Sequence, residues 1–332
     1  MKTKSFVNRI LIAITALLTT GLLAACGGAS SAPALVSEKL QVVATIFPAY
    51  DWARNILGDN PAGAALTLLV DNGVDLHSYQ PSAEDILRIS SCDLFIYVGG
   101  ESDQWVEDAL KEAQNPDMIV VNLMDALGDA VREEELIEGM EPEEEEGEEG
   151  EEEAEYDEHI WLSLTNAIRL CQAISDALCK LDPLNTELYQ SNLEDYSEKL
   201  SALDSAYQAA VSAGATDTVL FGDRFPFRYL TEDYGLKYYA AFAGCSAETE
   251  ASFETIAFLA EKIDELSLHS VFTIDGSDQR LANAIIQMTR SKDQSILVLD
   301  SIQSVSSKDI AEGKTYLSIM GNNLEVLKQG LE

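Results

Sequence analysis

"DPLNTELYQSNLEDYSEKLSALDSAYQAAVSAG", residues 182–214, is the stretch whose reading decides the architecture. Asp182 offers a helix cap, and Pro183 suits a first helical turn, where its missing N–H is no loss. Tyr189, Leu193, Tyr196, Leu200, Leu203 and Tyr207 then recur at steps of four and three. That spacing draws one apolar stripe along a helix of about 30 residues and some 45 Å. Gly214 closes it. A helix this long exceeds the usual length in a globular domain, so it reads as a linker between two bodies.

On both sides of it, strands alternate with helices. Before it come the strand-like runs "LQVVATI" (40–46), "ALTLLV" (65–70), "DLFIYVG" (93–99) and "MIVVNL" (118–123). Helical patterns such as "AYDWARNIL" and the Ser-capped "SAEDILRI" separate them. After it come "DTVLFG", "KYYAAFAG", "HSVFTID" and "SILVLDSI", again with helices between, and "TYLSIMGNNLEVLKQGL" closes the chain. This alternation predicts two α/β sandwich lobes with mostly parallel sheets, joined by one long rigid helix. The expected boundaries are 39–180 for the N-terminal lobe, 181–214 for the linking helix and 215–332 for the C-terminal lobe.

The first residues belong to a different logic. Lys2, Lys4 and Arg9 precede the apolar run "ILIAITALLTTGLLAAC". A basic start, a short apolar core and small residues before a cleavage point predict a signal peptide over 1–25. Leu23, Ala24, Ala25 and Cys26 resemble a bacterial lipobox, so Cys26 is the expected lipidation site and residues 26–38 a flexible tether. The expected location is the extracytoplasmic face of the cell membrane.

The 332 residues carry a net charge of −37, which argues against nucleic-acid binding. Residues 133–158 hold seventeen acids and no base, and the rest of the chain is still acidic. Cations are the natural partners of such a surface. The acidic run, with its glycines and no apolar periodicity, predicts a disordered loop over 133–157. Cys92, Cys171, Cys179 and Cys245 form no CxxC pair and read as small buried side chains rather than as ligands or bridges.

The residues able to do chemistry sit where strands hand over to helices. His77 lies in "DNGVDLHSYQPSAEDI", His159 in "DEHIWLSLTNAI" just beyond the acidic run, and Asp275 in "FTIDGSDQRLANAI". Imidazole with carboxylate suits a divalent transition metal. Asp275 also has a bland alternative as a helix N-cap. The third histidine, His269, has no such context and reads as a surface residue.

Taken together, "HSYQPSAEDI", "DEHIWLSLTNA", the long "YQSNLEDYSEKLSALD" helix, "FRYLTEDYGL", "ETEAS" and the C-terminal "TYLSIMGNNLEVLKQGL" resemble the zinc and manganese cluster of solute-binding proteins of bacterial ABC importers. The resemblance spans essentially the whole chain after the tether. It implies a monomeric, non-enzymatic protein that captures a divalent metal between its lobes and delivers it to a membrane permease. Zinc is the favoured metal and manganese the alternative. The resemblance carries His77, His159 and Asp275 over as ligands. It also implies a further ligand a fixed distance before "YGL", where this chain has Arg224, which has no lone pair to offer. Asp223 next door is the first substitute, with Glu250 or a water as alternatives. The acidic run, beside His159, would then gather cations near the cleft, or be a plain spacer. A metal-dependent hydrolase and a surface adhesin are the competing functions on the same fold. No HExxH-type motif supports the first, and nothing in the sequence demands the second.

Overall fold

The computed structural model describes residues 39–140, 155–245 and 251–332. The expected signal peptide, tether and Cys26, the acidic residues 141–154, and Glu250 lie outside the described residues. Residues 39–332 form one compact unit.

Among the described residues, eight strands build two separate four-stranded sheets. In the N-terminal lobe, β1 (Gln41–Ala44), β2 (Ala65–Leu68), β3 (Leu94–Tyr97) and β4 (Ile119–Asn122) run in the spatial order β2-β1-β3-β4. In the C-terminal lobe, β5 (Thr218–Phe225), β6 (Lys237–Ala243), β7 (Ser270–Ile274) and β8 (Ser295–Leu299) run in the order β6-β5-β7-β8. Every pairing is parallel. Parallel strands need crossover connections, so helices cover both faces of each sheet. Successive residues of a strand therefore enter different cores. Val43 and Phe95 pack with Ile89 and Val106 on one side of the first sheet. Val42, Leu94 and Ile96 pack on the other, against the helices nearest the second lobe. Both sheets reverse direction of winding at their centre, which opens a crevice outside the carboxyl ends of the strands.

The long helix spans Thr186–Ala213, 28 residues, behind a 3-10 turn at Pro183–Asn185. At 1.5 Å per residue it is about 42 Å long. Tyr189, Leu193, Tyr196, Leu200 and Tyr207 are buried along it as the periodicity predicts. Asp182 accepts a hydrogen bond from Tyr189 Oη at 2.7 Å and so pins the start.

This helix is not the sole link. The C-terminal helix Tyr316–Gly330 returns to the first lobe: Tyr316 N donates to the buried Asp51 Oδ2 at 2.9 Å, and its hydroxyl donates to Trp161 O at 2.6 Å. Trp161 Nε1 donates in turn to Ser301 O at 2.9 Å, and Tyr207 Oη to Met320 O at 2.7 Å. One continuous apolar cluster contains Trp52 and Ile96 from the first lobe together with Phe221, Phe272 and Leu324 from the second. The C-terminal helix thus packs on both lobes.

The acidic segment is tied down at its two ends. Glu133 pairs antiparallel with Tyr156, Glu134 N donates to Glu155 O at 2.8 Å, and Asp157 N donates to Arg132 O at 2.9 Å. Residues 133–140 and 155–157 are therefore part of the folded body, contrary to the expected span of disorder. The local pairing outweighs their charge because it satisfies backbone groups beside the buried Asp157.

Candidate metal centre

His77 is set by a short device. Asp75 caps the 3-10 turn Leu76–Ser78, its side chain accepting from His77 N at 3.0 Å. The capping box of Ser82 and Asp85 then starts the helix Ala83–Ser91. His159 comes from the far end of the acidic segment. Tyr229 Oη holds Asp157 O at 2.8 Å, His159 itself is fully buried, and a 3-10 turn at Ile160–Leu162 leads into the Ser163-capped helix Leu164–Leu181. These two residues, 82 positions apart, bring their Nε2 atoms to 3.2 Å from each other.

Each ring is fixed through its other nitrogen. His77 Nδ1 lies 2.7 Å from Ser102 Oγ, and Glu158 Oε2 is 3.6 Å away. His159 Nδ1 lies 2.8 Å from Asp157 Oδ1, which also accepts from His159 N at 2.8 Å. A hydrogen bond at Nδ1 leaves Nε2 as the atom that faces an incoming cation. Both Nε2 atoms therefore point at one place.

The two rings differ in charge. Burial and then the neighbouring His159 pull His77 down to about 4, against the opposing pull of Asp75. Burial lowers His159 too, but the Asp157 carboxylate outweighs it, with Glu158 and Glu134 adding, and the net direction is up. Asp157 thus favours positive charge on the His159 ring. Gln303, oriented so that its Nε2 donates to Asp75 at 2.7 Å, presents its Oε1 to His159 Nε2 at 3.0 Å and completes the polar wall.

Among the described residues, one group of three potential metal-ligating side chains converges: His77, His159 and Cys245, with ligand atoms all within 4.8 Å of one another. Cys245, expected as a packing residue, thus stands beside the two rings. It follows β6, and its N–H donates to Glu134 Oε1 at 3.0 Å. Gly244 before it passes close to the ring: a Cβ there would lie 3.1 Å from His159 Nδ1 and 2.9 Å from Phe225 O. The signal in the sequence was a Gly-Cys pair at the carboxyl end of a strand, the same kind of junction that marks His77.

Two expected ligands are not in this group. Asp223 was placed after its strand, but β5 runs on to Phe225, with a register shift between Phe221 and Arg224. Asp223 Oδ1 accepts from Arg224 N at 2.9 Å, and its Oδ2 is buried without a hydrogen bond. Arg224 reaches across to Asp75 Oδ2 at 2.9 Å, the pairing with a spare carboxylate that its charge requires. Asp275 Oδ1 accepts from Ser301 N at 2.7 Å and Ser301 Oγ at 2.8 Å, and its Oδ2 from Ser304 Oγ at 2.6 Å. It braces the turn that carries Gln303 to His159, and it is not the helix cap either, since Gln279 precedes the helix Arg280–Met288. Asp300 in the same turn is pushed up to about 6, first by burial and then by the Asp275 charge.

Known proteins resemble this chain in sequence and in fold. The zinc-uptake complex component A (periplasmic) family matches residues 42–330. The zinc-binding lipoprotein AdcA of Streptococcus pneumoniae TIGR4 is 32% identical over 293 residues, covering 88% of this chain and 56% of the relative, so the chain spans little more than half of that protein. The high-affinity zinc uptake system protein ZnuA of Bacillus subtilis 168 is 31% identical over 314 residues, covering 93% of this chain and 94% of the relative. The Zn(II)-bound ZnuA-like domain of S. pneumoniae AdcA superposes with a TM-score of 0.68 at 29% identity, covering 89% of this chain and 99% of that one. The metal-dependent lipoprotein YcdH of B. subtilis gives 0.70 at 26% identity, with 88% and 99% covered. With two parallel-sheet lobes on a long helix, a pair of convergent imidazoles between them and a match over nearly all of the described residues, this chain belongs to the zinc-uptake complex component A family.

Proposed function

We propose that this protein captures a zinc ion outside the cytoplasmic membrane and hands it to the permease of an ABC importer. The single observation that carries the reading is the approach of His77 Nε2 and His159 Nε2 to 3.2 Å, each ring locked through Nδ1. One buried and one half-buried imidazole so arranged repel each other when both are charged, and a divalent cation between them removes that conflict. Two relatives, a zinc-binding lipoprotein and a zinc uptake protein, support zinc over manganese and a carrier over an enzyme. The lipoprotein relative also supports Cys26 as the lipid attachment site of a membrane-anchored protein, which we take to be a monomer.

The test is competition titration of the purified protein with zinc and manganese. One tight zinc per chain is expected. His77→Ala and His159→Ala should each weaken it by more than the roughly 10–100-fold that loss of an outer partner alone brings. Zinc affinity that survives both changes would end the proposal.

A further inference from the structure

We propose that Cys245 is a thiolate ligand of the captured ion, so that the metal is gripped by two imidazoles and a sulfur. The inference rests on the capture reading above and names the donor that decides which ions the site accepts.

The position is built for it. Cys245 Sγ shares a 4.8 Å sphere with one ring nitrogen each of His77 and His159. Its backbone is anchored by the bond to Glu134, and Gly244 lets the strand end press against the His159 ring without a side chain between. The thiol is free and makes no disulfide. Arg224 on the neighbouring strand is held by Asp75 and offers no lone pair. Sulfur is thus the third donor beside the imidazoles.

Binding is a proton exchange with no electron transfer. As the metal–sulfur and metal–nitrogen bonds form, the S–H proton and any proton held on His159 Nε2 leave to solvent, and the divalent charge is met by one thiolate and by the Asp157 carboxylate behind His159. A metal–sulfur distance of about 2.3 Å and metal–nitrogen distances of about 2.0–2.1 Å fit a tetrahedral zinc site with one position left over. Thiolate favours borderline-soft ions such as zinc and cobalt over manganese, which prefers oxygen. The site therefore discriminates by donor chemistry.

Cobalt(II) reads this out directly. Loading the full-length chain with one equivalent of cobalt(II) should give visible d–d bands together with an intense near-ultraviolet thiolate-to-cobalt band. Cys245→Ser should keep the visible bands and lose the ultraviolet one. It should also weaken zinc by at least the roughly 10–100-fold typical of an outer partner, while changing manganese less than about threefold. Circular dichroism checks that the variant folds, and site-resolved alkylation gives a second readout: zinc should shield Cys245 in the wild type and leave Cys179 unaffected. Cobalt bound through His77 and His159 with no ultraviolet band in the wild type, or a band that persists in Cys245→Ser, overturns the thiolate and spares the capture reading. No cobalt binding at all overturns both.

Discussion

Asp157→Asn tests the site through a residue that does not touch the ion. The carboxylate is almost fully buried, 2% exposed, and its Oδ1 takes both the ring Nδ1 and the backbone N of His159 at 2.8 Å. Asparagine keeps the shape and one acceptor but removes the charge. An ion on Nε2, across the ring, sits roughly 6 Å from that carboxylate, where a unit charge pair at an effective dielectric of about 20 is worth roughly 3 kcal/mol. The same charge also favours a proton on His159, which offsets part of the gain. The expected net loss is about 100-fold in zinc affinity, or about 2.7 kcal/mol, the upper end for outer-shell partners. Ser102→Ala is the control on the other ring. Its hydroxyl lies 2.7 Å from His77 Nδ1 but is neutral, so less than about tenfold is expected. The assay is competition against a chromophoric chelator at fixed ionic strength, with metal-free melting curves to show that both variants fold. Asp157→Asn within about threefold of the wild type, or a larger loss for Ser102→Ala, would refute the view that the Asp157 charge stabilises the bound ion.

Three further outcomes are expected. Gly244→Ala puts a Cβ 2.9 Å from a backbone oxygen and 3.1 Å from the His159 ring, so one of them must shift. Zinc affinity should fall at least tenfold, with about 1–3 kcal/mol lost in chemical denaturation, and unchanged affinity would show the strand end to be loose. Asp103, 3% exposed, is pushed up to about 7 by burial and by Glu158, against the bonds it accepts from Val98 N and Gly99 N. The native protein then holds a proton that the unfolded chain has released, so stability is full below about 4 and falls as pH rises to about 7, by up to roughly 4 kcal/mol. In metal-free protein the Asp103→Asn variant should lack this slope, and parallel pH curves for the two would contradict it. Removing residues 141–154 spares the Glu133–Tyr156 pairing. It should slow zinc association at low ionic strength and matter progressively less as salt rises. An unchanged rate at low salt would make the acidic run a spacer.

The elements were legible because their local signals agree with the tertiary structure. The helix Phe253–Leu266 and the stripe on Thr186–Ala213 follow from periodicity and caps alone. His77 and His159 were legible because each follows a recognisable motif at a strand–helix junction. What was not legible depended on contacts between distant residues. Asp275 shows a second role only when Ser301 and Ser304, 26 and 29 residues on, are seen to donate to both its oxygens. Asp223 was misplaced because β5 continues three residues past Gly222, and a strand with a register shift gives no period to read. Cys245 was harder to read, because a Gly-Cys pair at a strand end is a weak signal alone and the two rings beside it are 86 and 168 residues away in the chain.

The staples between the lobes bear on how such a site can select its ion. Asp51 to Tyr316, Tyr316 to Trp161 and Trp161 to Ser301 form a buried chain that crosses the crevice floor. A wide opening would break all three and expose one shared core, at a penalty of several kcal/mol for the unsatisfied polar groups alone. The turn after β8 holds the strain instead. Ile302, fully buried and β-branched, sits at φ +63°, a conformation that costs of order 1–3 kcal/mol and persists only where neighbours enforce it. Asp300 Oδ1 accepts from Ile302 N at 2.8 Å, and Asp275 grips the residues on either side. The carboxylate expected as a ligand thus maintains the turn that presents Gln303 to His159. With the lobes fixed and the wall strained into place, the cleft cannot adapt much to an ion's size. Discrimination then falls to the kind of atom each donor offers, which is why a sulfur beside two imidazoles matters more here than how far the lobes could swing.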